Sequence, residues 1–190
     1  MAIPQIILID NKESMCNEWR DALALRGLQE KVEVVQMSVE DYLATTPVSS
    51  FALFADSFGL MEERICDLLD NQAKECVRSY LLSIWFGEMP LSASCGVQIN
   101  TSLPACIYTA QTHFPRLFEG ADTLYHSVRS TLICAIHNSV PSILIPVPGS
   151  AKGNMNEDDI ARVMVNAIAQ LYNAPTEVSL AYAKEHKNID

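Results

Sequence analysis

The sequence predicts an α/β fold of three layers, in which helices cover both faces of a mixed, largely parallel sheet of about six strands. Short aliphatic or β-branched runs alternate along the chain with stretches in which apolar residues recur at helical spacing. Such alternation is typical of sheets whose parallel strands are joined by helices. Hydrophobic residues make up 49% of the 190 residues, which is enough for one continuous core.

The first three predicted elements are a strand, a helix and a strand, at residues 4–10, 14–25 and 31–37. The first strand is an aliphatic run that ends at Asp10, as a buried strand does. The helix has apolar residues at helical spacing, and Gly27 ends that pattern. The second strand is β-branched and partly alternating, which is typical of an extended segment.

The remaining elements continue the alternation. A very short strand is predicted at residues 51–54, after a loop that contains Pro47. Helical spacing predicts helices at about 61–69, about 73–86, 122–137 and about 157–171. Runs of strand-forming residues predict further strands at 94–99, 105–109 and 142–147, the first two divided by a turn-like segment that ends at Pro104.

We expect one domain over residues 1–175 and a polar C-terminal tail over residues 176–190. No apolar run reaches the roughly 18 residues that span a bilayer, and the N-terminal run lacks the basic region and cleavage site of a signal peptide. The six cysteines show no CxxC pair and no histidine at ligand spacing. They are therefore predicted to be reduced thiols in a cytoplasmic protein that has no metal site, no cofactor and no membrane partner.

The formal net charge of −10 argues against a nucleic-acid polymer as a partner, because phosphate-backbone binding requires clustered Lys and Arg. A local basic pocket for one anionic ligand is compatible with this charge. In open α/β sheets, ligands bind beyond the carboxyl ends of the strands. Two loops are predicted to lie there, residues 55–59 and residues 148–154, and we expect them to face each other across one crevice.

Several motifs occur in one consistent order along residues 4–172. Residues 53–66 read LFADSFGLMEERIC, and residues 148–155 read PGSAKGNM. Weaker motifs are Asp10, Trp19, VEVV at 32–35, GEMP at 87–90 and YTAQTHFP at 108–115. Together these motifs resemble the macrodomain family, particularly its divergent bacterial and phage-like branch, in which the two longer stretches read SPANSFGxMDGGID and PGLGTGxGxM. The resemblance implies a macrodomain fold.

Macrodomains bind ADP-ribose, and several hydrolyse ADP-ribose derivatives. The resemblance therefore implies that this chain binds ADP-ribose or a related nucleotide and, if it is an enzyme, hydrolyses ADP-ribose derivatives with Asp56 positioning water at the distal ribose. Glycine backbone and a lysine counter-charge suit a diphosphate. The candidate ligand-binding residues are Ser38 near the adenine, Ala55, Asp56 and Ser57 in the first loop, and Gly149, Ser150, Ala151, Lys152, Gly153 and Asn154 in the second.

Departures from the family pattern leave alternatives open. Glu63 and Arg64 replace its paired glycines, while Asp56 replaces its asparagine and Cys66 replaces an acidic residue. Glu63 brings negative charge to a place where backbone amides would approach a phosphate. One alternative is a degenerate macrodomain that serves as a protein-interaction module without nucleotide binding. Two local alternatives are an ordinary strand-to-helix turn at residues 148–154 and a helix cap at Asp56.

Overall fold

A computed structural model of the chain describes residues 2–99, 103–177 and 179. Its strands are β1 Gln5–Asp10, β2 Val32–Gln36, β3 Ser50–Asp56, β4 Ser94–Val97, β5 Ala105–Thr112 and β6 Ser142–Pro146. Its helices are α1 Glu13–Leu25, α2 Val39–Thr45, α3 Asn71–Trp85, α4 Ala121–His137 and α5 Glu157–Tyr172, and a short 3-10 helix covers Arg64–Leu68.

The six strands form one sheet in the order β2-β1-β6-β3-β5-β4. Neighbouring strands pair in parallel across the sheet, except that β4 lies antiparallel to β5 at one edge. The predicted mixed, largely parallel sheet is therefore confirmed. The carboxyl ends of β1, β6 and β3 open on the same edge, because these parallel strands are neighbours near the middle of the sheet.

Two hydrophobic cores lie on opposite faces of the sheet. Because successive side chains of a strand point to opposite faces, Ile6 and Leu8 of β1 pack with α1, α4 and α5, whereas Ile7 and Ile9 pack with α2 and α3. Both faces of β1 are thus covered, which accounts for its nearly continuous aliphatic sequence. This arrangement gives the three predicted layers.

Two predictions about helices were wrong. Helix α2 was not predicted, although Ser38 caps it by accepting a hydrogen bond from Asp41 N. The helix predicted at about 61–69 is only the 3-10 helix. Met61 has a left-handed backbone with φ of 57°, which excludes it from a regular helix, and the extended backbones of Glu63 and Leu69 confine the helix to five residues.

The predicted tail at residues 176–190 lies almost entirely outside the described residues, and the boundary at residue 175 stays a prediction. Among the described residues, no helix is both long enough and apolar enough to cross a membrane.

Candidate functional site

A cavity of about 200 Å³ opens at the carboxyl edge of the sheet. Its walls include residues 9–11 at the end of β1, residues 37–40 at the start of α2 and residues 63–65 at the 3-10 helix. Gly149 and Lys152, from the loop after β6, close the remaining side. Apolar and charged side chains both line the cavity, and small-molecule sites usually combine an apolar lining with a few polar groups.

Lys152 spans one end of this cavity. Its Nζ lies 2.6 Å from Asp10 Oδ2, and the Asp10 side chain is only 2% exposed. The other carboxylate oxygen of Asp10 accepts a hydrogen bond from Lys12 N at 3.0 Å. Lys152 is thus a basic group inside the predicted site, but its charge is already compensated by a buried carboxylate.

Glu63 lies directly against Gly149. A β-carbon added at Gly149 would overlap the Glu63 carboxylate, so only glycine allows this approach. The second oxygen of Glu63 accepts a hydrogen bond from Arg116 N at 3.2 Å, and the Arg116 guanidinium lies 3.9 Å from the neighbouring Glu62. The carboxylate therefore covers the glycine backbone that the sequence predicts as part of a diphosphate site.

Asp56 organises its own loop. Its carboxylate accepts hydrogen bonds from Phe58 N at 2.9 Å, Leu60 N at 3.1 Å and Met61 N at 2.8 Å. The backbone oxygen of Asp56 also accepts a bond of 2.5 Å from Tyr108 Oη. These bonds are not a helix cap, because no helix starts at this loop. The catalytic role of Asp56 stays a prediction.

We expected residues 55–59 and residues 148–154 to face each other across one crevice, but only the second loop contributes to the cavity beside Gly149. Strands β3 and β6 are parallel neighbours, as the prediction required. However, the cavity beside Gly149 is lined by none of the residues 55–59, all of which the structure describes. Ala55, Asp56 and Ser57 are each 1% exposed, because the bonds of Asp56 and the 2.9 Å bond from Ser57 N to Thr112 O turn the loop inward.

The other predicted residues of the loop after β6, residues 148–154 and hereafter the closing loop, differ in their accessibility. Ala151 is fully buried, and Ser150 is 4% exposed with its hydroxyl donating to Gln111 Oε1. Gly153 and Asn154 are exposed but do not line the cavity. Asn154 Nδ2 instead bonds to Ser150 O at 2.8 Å, which fixes the turn. The structure thus brings only Gly149 and Lys152 of this loop to the cavity.

Ser38 lines the cavity, and its role beside an adenine stays a prediction. Sequence reasoning missed three of its polar neighbours, Asn11, Glu40 and the Asp10 carboxylate. Asp10 could have been predicted from the sequence, because an acidic residue that ends a buried parallel strand lies where ligands bind. Asn11 and Glu40 had no such signal, since each occurs in a polar stretch that resembles an ordinary loop.

Cys66 occupies the position of the acidic residue in the macrodomain pattern. Its side chain is fully buried, and burial raises the pKa of its thiol to about 12. The thiol therefore stays neutral near pH 7 and is a weak nucleophile. Across the described part of the chain, no three His, Cys, Asp or Glu residues are grouped in a way that would hold a metal ion.

Two solved structures with a similar fold are described as macrodomains. The macrodomain of Mycobacterium tuberculosis DarG matches with a TM-score of 0.56 and 15% identity, covering 68% of this chain and 86% of that one. The macro domain of ganglioside induced differentiation associated protein 2 matches with a TM-score of 0.54 and 14% identity, covering 68% of this chain and 65% of that one. No family model and no curated protein sequence matches. The sheet order, the helical layers and these likenesses together show that the chain has the macrodomain fold.

Proposed function

We propose that this chain binds ADP-ribose or a related nucleotide in the cavity beside Gly149. The observation that carries the proposal is the Glu63 carboxylate against Gly149. This carboxylate is an anionic group that already lies on the closing loop at the carboxyl edge of the sheet. The macrodomain resemblance would place a diphosphate at the same position. The proposal is that the ligand phosphate displaces Glu63 and takes over this position.

The small size of the cavity supports the proposal that the Glu63 side chain moves away when a ligand binds. Ligand pockets usually measure about 300–1,000 Å³, whereas this cavity measures about 200 Å³. The present space accommodates part of a nucleotide, such as its base. Withdrawal of the Glu63 side chain would free the space beside the Gly149 backbone.

Unmatched polar atoms at the end of β5 also support a polar ligand nearby. Among the described residues, Gln111 Nε2 and Thr112 Oγ1 are buried and have no hydrogen-bond partner. Both side chains are almost fully buried, and a buried polar group without a partner costs about 1–3 kcal/mol. Gln111 also contacts Ser150 of the closing loop. A ligand that shifts this loop would reach the unmatched atoms.

Binding is better supported than hydrolysis. The residue predicted to position water, Asp56, has its carboxylate bonded to three backbone amides. These bonds use its acceptor capacity for the loop and leave little for a water molecule. The proposed function therefore requires no catalytic step.

The proposal is tested by calorimetric titration with ADP-ribose. Glu63→Ala removes the competing carboxylate, and we expect it to tighten binding by about tenfold, since like charges this close repel by more than 1 kcal/mol. Gly149→Val should abolish detectable binding, because its side chain would occupy the place of the phosphate as well as that of the Glu63 carboxylate.

Glu62→Gln is the matched control. It removes one negative charge from the same segment, but Glu62 points to Arg116 and does not line the cavity. Its affinity should equal that of the wild type. Absence of heat for wild type and Glu63→Ala alike at millimolar ADP-ribose would refute nucleotide binding.

A second candidate function is a protein-interaction module, and an exposed ring cluster favours it. Phe58 and Phe114 stack with centroids 5.6 Å apart, and His113 packs edge-on against both rings. Phe114 is 51% exposed, and exposed aromatic side chains are enriched in protein interfaces. Failure of both nucleotide titrations would favour this candidate.

A further inference from the structure

A second cavity, of about 440 Å³, lies on the outer side of α4 and shares no residue with the cavity beside Gly149. It is lined by Leu91, Ser92, His126, Arg129, Ser130 and Ile133. The last four residues recur at spacings of three, one and three along α4, so they form one stripe of the helix. The stripe is separate from the buried face of α4, where Leu124, Val128 and Leu132 pack into the core.

The charge in this cavity is unlike that of the molecule. The chain has a net charge of −10, yet none of the described residues that line this cavity is acidic. The ionisable side chains there are His126 and Arg129, both of which carry positive charge when protonated. An anion in this cavity would therefore meet cationic groups and no lining carboxylate.

Arg129 has an unmatched donor. Its Nη1 is excluded from solvent and has no hydrogen-bond partner among the described residues. A guanidinium donor without an acceptor is costly, because the buried N–H has lost its water. The planar fork of Arg is suited to paired oxygens of a carboxylate or a phosphate. An oxyanion would be a strong partner for this donor once a small shift of the Arg129 side chain exposes Nη1 to the cavity.

Two hydroxyl groups supply further donors. Within the described part of the chain, no hydrogen bond is formed by Ser130 Oγ. Ser92 Oγ donates to Thr123 O at 3.4 Å, which is long for a bond between oxygen atoms. Ser127 Oγ donates to Ser92 Oγ at 3.3 Å and holds the residue in position. Ser92 is therefore fixed, but its proton is available to a stronger acceptor.

The remaining wall is apolar. Leu91 is 42% exposed, and Ile133 is partly exposed on the next turn of α4. The cavity volume falls within the usual range for small-molecule sites. We propose that this cavity binds a small organic anion, with its phosphate or carboxylate group on Arg129 and the two serines and its apolar body against Leu91 and Ile133.

The test is calorimetric titration of the full chain with phenyl phosphate, benzoate and inorganic phosphate. Phenyl phosphate should bind more tightly than inorganic phosphate, because only the former covers Leu91 and Ile133. The comparison with benzoate determines which oxyanion the site prefers. Arg129→Gln should weaken binding of phenyl phosphate by at least about tenfold, since a charge-assisted pair is lost.

Arg20→Gln is the control, because Arg20 is exposed on α1 and bonds only to Asn17 among the described residues. This variant should bind phenyl phosphate as the wild type does. Leu91→Ser should weaken phenyl phosphate without weakening inorganic phosphate, which separates the two parts of the site. Arg129→Lys retains the charge without the fork and should bind with intermediate affinity.

Either of two results would overturn the proposal: no binding of phenyl phosphate by the wild type at millimolar concentration, or equal binding by wild type and both Arg129 variants. Should the Arg129 variants unfold, titration of the wild type with phenyl phosphate should shift the His126 ring resonances, because His126 lines the same cavity, and unchanged resonances would overturn the proposal. Competition by ADP-ribose would also count against a separate site.

Discussion

At the scale of single residues, three carboxylates near one edge of the sheet have three different roles. Asp10 balances Lys152, Glu63 covers Gly149, and Asp56 bonds to amides of its own loop. The side-chain chemistry is the same, so the partner of each oxygen determines what the residue does. The expected roles of acidic residues in this chain follow from those partners and not from residue type.

Asp56→Asn tests the structural role of Asp56. Asn has one acceptor oxygen and one donor nitrogen, so at least one of the three amide bonds would face an N–H group instead of an oxygen. We expect the free energy of unfolding to fall by about 1–3 kcal/mol. Urea unfolding of the two proteins measures this difference.

Asp67→Asn is the matched control, because Asp67 is exposed on the neighbouring 3-10 helix. Its effect should be within about 0.5 kcal/mol of zero. Equal stability of Asp56→Asn and the wild type would mean that the amide bonds of the loop contribute little.

The sequence predicted which loops lie at the site but not which side chains meet there. The resemblance identified Gly149 and Lys152, and both line the cavity. Gly149 contacts Glu63 and Lys152 contacts Asp10, and both pairs join residues far apart in the chain. Such contacts depend on the sheet order, which alternation of strands and helices alone does not determine.

At the scale of elements, local patterns predicted long elements well and short ones poorly. Helix α2 has one buried residue, Tyr42, and two acidic residues in its first turn. Its sequence therefore resembles a polar loop, and only the Ser38 cap with the acidic first turn indicated a helix. The 3-10 helix was mistaken for an α-helix, because its apolar spacing does not reveal the left-handed backbone at Met61.

The end of α3 allows a prediction about helix termination. Phe86 follows the helix with a left-handed backbone, φ of 54°, and its side chain is 92% exposed. A side chain in this conformation costs about 1–2 kcal/mol, whereas Gly accepts it readily. We expect Phe86→Gly to raise the free energy of unfolding by about 0.5–1 kcal/mol after the entropic cost of glycine.

Leu25→Gly is the comparison for Phe86→Gly. Leu25 ends α1 and is also strongly exposed, but it is the last helical residue and not a left-handed one. Glycine should therefore lower stability there by about 0.5–1 kcal/mol. Thermal or urea unfolding that gave both variants the same sign would contradict a role for backbone strain at Phe86.

At the scale of the whole molecule, the sheet separates two cores that differ in chemistry. Both faces are mainly apolar, but the face covered by α2 and α3 includes three buried thiols, Cys66, Cys95 and Cys106. All six cysteines are free thiols. The first core also contains two buried thiols, Cys16 and Cys134, but the three thiols with the largest pKa shifts lie in the second core, which makes that core the more sensitive to alkaline pH.

Burial raises the pKa of Cys66, Cys95 and Cys106 to about 12, from an ordinary value of 9.0. Between these values the unfolded chain loses thiol protons that the folded chain retains. The folded state then binds more protons, so the free energy of unfolding falls as pH rises from about 9 to about 12. The stability from these thiols is fully present below pH 9, and each contributes a slope of up to about 1.4 kcal/mol per pH unit.

Urea unfolding between pH 8 and pH 11 measures this slope, and two variants assign it. Cys106→Ala removes one fully buried thiol, so its slope above pH 9 should be shallower than that of the wild type. Cys76→Ala removes a partly exposed thiol and should leave the slope unchanged. Comparing slopes, not absolute stabilities, excludes the small cavity that Cys106→Ala creates. If the Cys106→Ala slope matched the wild-type slope, proton release from tyrosine, lysine or other groups would cause the alkaline loss of stability, and the buried thiols of the second core would not.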